Sequence, residues 1–335
     1  MTLTLRGRVV LGVVVGGFLM AALYGPRSLN AVVAPGAVAL AAAAIAVRRV
    51  SEPTVARAAP EDGFVGEHRT VTIAVETDRE FTARVVDHLP DGLSGDGNDR
   101  TTTVDGDPID YELRYDRRGD YELGPVEVTA RDVLGLAERG FTFDGPGEVL
   151  VYPQVRDLGV RARQELYALP EYRMVAMRGE FDSLREYERG DALRDIDWKS
   201  SAKRPDGDLI VKEYADEDDL GAIRIAAEAE SSPKSADAMA QAAASIADLL
   251  LEANLTVGIS APAGVVEPGT GRYQRTRILE LLARSDPGPV PREERQQADI
   301  YVEGRNAGAV SVRIEDQFVP FEALTGSPRP ESGQA

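Results

Sequence analysis

The sequence predicts a multi-domain protein: a transmembrane α-helical hairpin, then an antiparallel β-sandwich, then a smaller α/β domain. Three observations lead to this prediction. Two uncharged apolar runs lie near the start, short alternating runs fill the middle, and strand-like and helix-like patterns alternate towards the end. A chain of 335 residues has room for two folded domains beside the hairpin.

The hairpin is predicted from residues 1–50, with helices over about 9–24 and 31–47 and a short turn between them. Each run is slightly shorter than the ~20 residues that cross a bilayer, but flanking polar residues can extend it. A cleaved signal peptide over residues 1–24 is the alternative, and it leaves the second apolar run unexplained.

Arginines predict the orientation of this hairpin. Those outside the pair are Arg6, Arg8, Arg48, Arg49 and Arg57. The turn holds a single one, Arg27. The positive-inside rule therefore predicts a multi-pass protein of the cell membrane, with both ends and the soluble domains in the cytoplasm.

The β-sandwich is predicted over residues 61–153, after a linker at 51–60. Short alternating runs separated by Gly, Pro and Asp turns indicate about seven strands; the clearest are 71–75, 81–86, 109–115, 126–130, 141–143 and 148–152. This spacing is typical of an immunoglobulin-like sandwich.

Composition excludes several classes of site. The chain has 38 Lys and Arg against 56 Asp and Glu, a net charge of −18, which disfavours nucleic acid and anionic lipid as partners. Only four of those bases are lysine, and a dense acidic, lysine-poor surface indicates adaptation to high intracellular salt, as in a halophile. No cysteine is present, and the two histidines, His68 and His88, have no partners for zinc or for a serine triad.

One segment, residues 179–216, concentrates rare residues. It contains the single tryptophan, Trp198, and three of the four lysines, Lys199, Lys203 and Lys212. Lysine is a compact point charge whereas arginine is a planar fork, so this clustering indicates a specific ionic arrangement.

The run from residue 183 to 202, S-L-R-E-Y-x-x-G-D-x-x-R-x-I-D-W-K-x-S-A, resembles the signature of domain-of-unknown-function family 58. The matching signature positions, which we treat as candidate interaction residues, are Ser183, Leu184, Arg185, Tyr187, Gly190, Asp191, Arg194, Asp197, Trp198, Lys199, Ser201 and Ala202. The resemblance implies an architecture and a partner but no reaction, since the family has no established activity.

Three interpretations of the signature remain open. It could be a structural staple in which buried ions pair with each other. It could be a docking surface, because aromatic and arginine residues anchor interfaces. It could also be a catalytic cluster formed by Asp191, Asp195, Asp197 and Lys199, as in a metal-dependent nuclease.

Residues 154–217 are predicted as a connector that carries the signature, and 218–322 as a truncated α/β domain followed by a disordered tail, 323–335. The α/β part resembles the von Willebrand factor A-like domain that follows the signature in this family. The family's metal motif, Asp-x-Ser-x-Ser, is degenerate here, leaving Glu228, Glu230 and Ser232. Mg²⁺ or Ca²⁺ could bind these oxygens only weakly, so no cofactor is expected.

The resemblance implies a membrane-anchored, non-enzymatic adaptor or scaffold that works with a MoxR-type AAA+ ATPase in assembling or remodelling protein complexes. The first alternative is a metal-dependent hydrolase or nuclease using the Asp191, Asp195, Asp197 and Lys199 cluster. The second is a structural protein whose soluble part faces the cell envelope.

Overall fold

The computed structural model describes residues 1–24, 30–144, 147–160, 162–167, 169, 183–186, 210–213, 222–314 and 317–325. The chain forms two compact units, Met1–Val151 and Tyr152–Ala335. An apolar N-terminal helix leads into many strands arranged in sheets, and a mixed α/β region follows. This order confirms the multi-domain prediction at that level of detail.

Two apolar helices open the first unit, α1 (Leu5–Tyr24) and α2 (Asn30–Arg48). The stretch Leu5–Leu23 is long and apolar enough to cross a membrane and only 6% of it is buried, whereas the apolar part of α2 is shorter. The helices pack closely at glycines. A Cβ atom at Gly17 would lie 2.7 Å from Cγ2 of Val33, and one at Gly36 would lie 2.6 Å from Cγ2 of Val14.

The rest of this unit is β-structure, mostly antiparallel. Its strands are β1 (Thr2–Leu3), β2 (Thr54–Arg57), β3 (Gly63–Phe64), β4 (His68–Glu76), β5 (Phe81–Asp87), β6 (Leu93–Asp96), β7 (Asp99–Val104), β8 (Ile109–Tyr115), β9 (Gly119–Glu122), β10 (Val126–Arg131), β11 (Ala137–Phe143) and β12 (Glu148–Tyr152). They form a five-stranded sheet in the order β1-β11-β10-β5-β7 and a four-stranded sheet in the order β2-β4-β8-β6. A three-stranded sheet has the order β3-β12-β9.

One hydrophobic core serves these sheets. In β8 the side chains of Ile109, Tyr111, Leu113 and Tyr115 alternate inward, and their neighbours face out. They share a core with Val71, Ile73 and Val75 of β4 and with residues of β5, β10 and β12. Period-two alternation is the pattern of strands with one buried face, and the predicted strands 109–115 and 148–152 are confirmed with these bounds.

The predicted linker at 51–60 contains a strand. β2 pairs antiparallel with β4, from Thr54 opposite Glu76 to Arg57 opposite Ile73. The sequence pattern did not predict this strand because its inward-facing residue, Arg57, is charged. That side chain is buried against Asp87 of the other sheet. Arg57 is therefore part of the β-structure and does not belong with the arginines that flank the apolar helices.

Helix α1 is joined tightly to the five-stranded sheet. The Thr4 amide donates to the Leu136 carbonyl at 3.0 Å, and the Thr4 hydroxyl donates to the Gly135 carbonyl at 2.6 Å. The same hydroxyl accepts from the Gly7 amide at 3.1 Å, which caps the first turn of the helix. A methyl group at Gly7 would overlap the Leu136 carbonyl oxygen, so this approach requires glycine.

The second unit is built on a mixed sheet with helices. Its strands are β13 (Ser183–Glu186), β14 (Ile210–Glu213), β15 (Ile223–Ala229), β16 (Val257–Ala261), β17 (Gly264–Gly269), β18 (Ile300–Gly304), β19 (Val310–Ile314) and β20 (Gln317–Pro320). Its helices are α3 (Pro233–Glu252), α4 (Gly271–Arg284), α5 (Arg292–Gln297) and α6 (Phe321–Leu324), with a 3₁₀ turn at Asn306–Gly308. The six-stranded sheet has the order β17-β16-β15-β18-β19-β20.

This sheet is parallel only at its centre. β15 pairs in parallel with β16 and with β18, whereas β17, β19 and β20 pair antiparallel at the two edges. The edge strands follow their neighbours through tight turns, which permit only antiparallel pairing. Strand β18 at the centre is a short apolar run that the sequence pattern does not single out.

The predicted tail begins inside a folded element. Phe321 and Leu324 of α6 are buried, and the Leu324 carbonyl accepts from the Gly159 amide at 2.7 Å. Residues 326–335 lie outside the described part of the chain.

Candidate functional sites

The first candidate site lies where the central strand β15 ends. In open α/β sheets, ligands bind beyond the carboxyl ends of the strands, where neighbouring connections diverge. Glu228 is near the end of β15, and Glu230 and Ser232 lie on the segment that leads into α3. The three residues of the degenerate metal motif therefore lie between the end of β15 and the start of α3.

Glu228 is engaged by three donors from the protein. Its carboxylate accepts from the Tyr301 hydroxyl, from the Arg295 guanidinium at 3.1 Å and from the Val290 amide at 3.1 Å. Burial, followed by the hydrogen bond to Glu228, raises the pKa of Tyr301 above its usual value, so this phenol remains a donor. Glu228 thus attaches β18 and the segment around Val290 to β15.

Glu230 and Ser232 are also engaged, each with a different partner. The Glu230 carboxylate accepts from the Asn306 amide at 2.7 Å. The Ser232 hydroxyl accepts from the Ser235 amide at 3.1 Å and so caps the N-terminus of α3. A Cβ atom at Gly304 would overlap the Ser235 carbonyl oxygen, which shows how closely α3 approaches β18.

These contacts give the degenerate metal motif a structural role, which is to hold neighbouring elements together. Glu228, Glu230 and Ser232 tie together β15, β18, α3 and the segment before α5, and their oxygens are directed to protein donors. Within the described ranges, no group of three or more His, Asp or Glu side chains is placed to hold a metal ion. The arrangement can fix the loop geometry at this edge of the sheet, and it offers a cation no convergent set of oxygens.

The second candidate site is the signature. Its first three residues, Ser183, Leu184 and Arg185, lie in β13, which pairs antiparallel with β14. The remaining signature residues fall outside the described part of the chain: Tyr187, Gly190, Asp191, Arg194, Asp197, Trp198, Lys199, Ser201 and Ala202, together with Asp195. Glu186, the last residue of β13, pairs with Ile210, the first residue of β14.

A third cluster is buried in the first unit and was not predicted. Arg57 donates to Asp87 at 2.7 Å with side-chain exposures of 1% and 0%, and the Tyr111 hydroxyl donates to the other carboxylate oxygen at 2.9 Å. Arg57 also donates to the Gly124 carbonyl at 2.9 Å. Burial raises the pKa of Asp87, while the charge of Arg57 opposes that effect.

This cluster links the two larger sheets through the core, since β2 and β8 belong to one and β5 to the other. The sequence contains one indication of this cluster: Asp87 continues the series of inward-facing residues Ala83 and Val85 along β5. A carboxylate at an inward position implies a buried partner, because an unpaired buried charge is strongly unfavourable. The partner, Arg57, lies 30 residues earlier in the chain, and no sequence spacing predicts that the two residues pair.

Comparison with known proteins finds a family match within the second unit. Residues 183–324 match the family described as "Protein of unknown function DUF58", which confirms the resemblance seen in the signature. The "Uncharacterized protein YeaD" of Bacillus subtilis (strain 168) is 32% identical over 117 residues, covering 32% of this chain and 27% of that protein. The chain thus matches about a quarter of that relative's length.

Among solved structures, the PKD domain of M14-like peptidase from Thermoplasmatales archaeon SCGC AB-540-F20 matches 28% of this chain and 97% of its own. The identity is 16% and the TM-score is 0.18, which is too low to indicate a shared fold.

Proposed function

We propose, on the premise that residues 183–324 form a DUF58 domain, that this protein is a membrane-anchored, non-enzymatic adaptor. It works with a MoxR-type AAA+ ATPase in the assembly or remodelling of protein complexes. The observation that carries the proposal is the attachment of an exposed apolar helix, α1, directly to a folded β-unit through Thr4 and Leu136. A helix of this kind is long and apolar enough to cross a bilayer, and its attachment would fix the β-unit at the membrane surface.

The finer architecture is part of the proposal. Two large sheets with one shared core of alternating residues support an immunoglobulin-like sandwich for the β-structure. A central strand followed by the degenerate metal motif and α3 supports a reduced von Willebrand factor A-like domain. The acidic, lysine-poor composition supports a source with high intracellular salt.

The proposed topology is multi-pass, with α1 and α2 both in the membrane and the two soluble units in the cytoplasm. The close packing of the helices at Gly17 and Gly36 supports a membrane hairpin. Since Arg57 is buried, the orientation rests on Arg6, Arg8, Arg48 and Arg49 against Arg27.

An engineered cysteine tests this topology directly because the chain has none of its own. Asp105→Cys places one on an exposed turn of the β-unit. In intact cells an impermeant thiol reagent should leave it unlabelled, and labelling should appear only after permeabilisation. Labelling of intact cells would instead favour the envelope-facing alternative.

The oxygens at the end of β15 support a structural role for the degenerate metal motif. Glu228, Glu230 and Ser232 are bonded within the fold, so this edge of the sheet serves to hold structure together. The signature, which begins in β13 of the β13–β14 pair, would then dock the ATPase.

Co-purification from membranes tests the docking role. An Asp197→Ala, Trp198→Ala double variant should lose the ATPase, identified by its own antibody, while the wild type retains it. The matched control is Tyr273→Ala, Asp286→Ala, which removes an exposed aromatic and an exposed acid from the same unit. Equal recovery with all three proteins, each folded by circular dichroism, would reject the docking role.

A further inference from the structure

The turn between β10 and β11 presents two apolar side chains to solvent. Val133 is 99% exposed and Leu134 is 56% exposed. The turn is well built: the Asp132 carboxylate accepts from the amides of Leu134, Leu136 and Ala137 at 2.8, 2.7 and 2.7 Å. The apolar tip is therefore held outward by a closed network of hydrogen bonds.

This turn lies beside the apolar helices. Leu136 is buried in a cluster with Ala43 and Val47 of α2, against which Val10 of α1 and Leu40 also pack. The same turn is bonded to Thr4, at the start of α1. If α1 and α2 enter a bilayer, the tip therefore lies at the depth where the apolar runs begin, at the membrane–water interface.

A cleft of about 400 Å³ adjoins the tip, and Val133 forms part of its wall. Arg49, Arg79 and Arg131 line it, with Glu80 and Asp132 as the acids. Asp132 is occupied by backbone amides, and Nε of Arg131 is 3.3 Å from Glu138. In the described part of the chain, no carboxylate lies within ion-pairing distance of Arg49 or Arg79. Arg49 and Arg79 can therefore receive an anion here, on a protein whose net charge is −18.

We propose that this face is a lipid-contacting surface, in which Val133 and Leu134 insert at the interface and the cleft binds the phosphate of an anionic phospholipid. The inference rests on the proposed membrane anchoring, and it adds a specific headgroup contact to it. Two arguments select lipid as the occupant: the tip is continuous with the helices' apolar surface, and unpaired arginines complement a phosphate. The net acidity disfavours lipid over most of the surface, which would confine the contact to this cleft.

Site-directed fluorescence on the full chain in vesicles tests the proposal. An environment-sensitive label is placed by Val133→Cys, by Phe18→Cys within α1, or by Asp144→Cys. Asp144 follows the opposite end of β11, about 20 Å away at 3.3 Å per residue. The vesicles contain phosphatidylcholine with or without phosphatidylglycerol, and the quencher is a nitroxide on either lipid.

Labels at positions 133 and 18 should be quenched and the label at 144 should not. Quenching at 18 but not at 133 would overturn this inference and leave the anchor intact. Absence of quenching at both positions would reject the anchor as well. The two failures are therefore distinguishable.

The contribution of the arginines is tested by adding the substitutions Arg49→Gln and Arg79→Gln to the labelled Val133→Cys protein. The preference for nitroxide phosphatidylglycerol over nitroxide phosphatidylcholine should fall by roughly fivefold per arginine removed. An unchanged preference would overturn the headgroup contact. Added inorganic phosphate should leave the wild-type preference unaltered; its loss on addition of phosphate would assign the cleft to a free anion and overturn the lipid assignment.

Discussion

Arg57 and Asp87 form an ion pair at 2.7 Å in the core of the first unit, where neither side chain is more than 1% exposed. The pair comes from strands in different sheets, and Tyr111 completes it with a hydrogen bond to the carboxylate. Two sheets that share an apolar core are thereby also fixed in relative position by one charged contact. A buried pair of this kind is costly to break even where it adds little net stability.

Asp87→Ala should destabilise the β-unit by about 3–5 kcal/mol, because it leaves the Arg57 charge buried without its carboxylate. Hydrogen exchange of peptides from β4, β5 and β8 in the detergent-solubilised full chain measures this. Asp99→Ala is the matched control, since it breaks an arginine pair, with Arg84, whose side chains are 46% and 45% exposed. That variant should change exchange little. Replacing both partners, Arg57→Met with Asp87→Leu, should cost less than Asp87→Ala alone.

Stability of the β-unit should fall at alkaline pH through Tyr115. Burial raises the pKa of Tyr115 to about 12 from a usual 10.0, and its hydroxyl donates to the Glu61 carbonyl at 2.6 Å. Between these values the unfolded chain has released a proton that the folded protein still holds, so stability decreases as pH rises through the window. Tyr115→Phe should remove this contribution to the slope, as measured by urea unfolding of the full chain between these pH values. An identical slope in wild type and variant would contradict the assignment.

The junction of α1 with the sheet should fail when Gly7 gains a side chain. Gly7→Ala places a methyl group against the Leu136 carbonyl, so it should break the Thr4 contacts and increase hydrogen exchange in β1 and at the start of β11. Gly12→Ala adds the same methyl group where no atom lies within 4 Å, and exchange should remain as in the wild type. Equal exchange in both variants would show that the close approach is not needed.

A measurement of metal binding distinguishes the adaptor proposal from the hydrolase alternative. Since Glu228 and Glu230 are bonded to protein donors, titration of the full chain with Mg²⁺ or Mn²⁺ should give no saturable heat in calorimetry, and chelation should not lower stability. Saturable heat that Asp197→Ala abolishes would support the nuclease-like cluster. Saturable heat lost in Glu230→Gln would instead restore the site at the end of β15.

The parts of the fold that the sequence predicted are those with a regular period. β8 alternates at every position, so it was located. Strand β2 was missed because its inward Arg57 is tolerated only through Asp87, a tertiary pairing that no local pattern contains. The central strand β18 was missed because its residues are buried on both faces and do not alternate.

The candidate site shows the same limit. The motif identified Glu228, Glu230 and Ser232 from the sequence; in the structure Glu228 lies near the end of β15, and the other two follow it. The donors to the two glutamates, Tyr301, Arg295 and Asn306, come from more than sixty residues later and carry no motif of their own. Whether a carboxylate serves a metal or a neighbouring donor is decided by such distant contacts.

Strand β1 pairs with β11 over a short length, and helix α1 begins just after Thr4. This arrangement has a mechanical consequence. A membrane-spanning helix changes its inclination when the surrounding lipid becomes thinner or thicker. With Thr4 bonded to Leu136 and no flexible spacer between strand and helix, we expect the five-stranded sheet to rotate by a similar angle. Infrared dichroism in oriented thin and thick bilayers would detect that rotation, and a sheet of constant orientation would exclude it. A change in bilayer thickness would then reorient the five-stranded sheet that is attached to the helix.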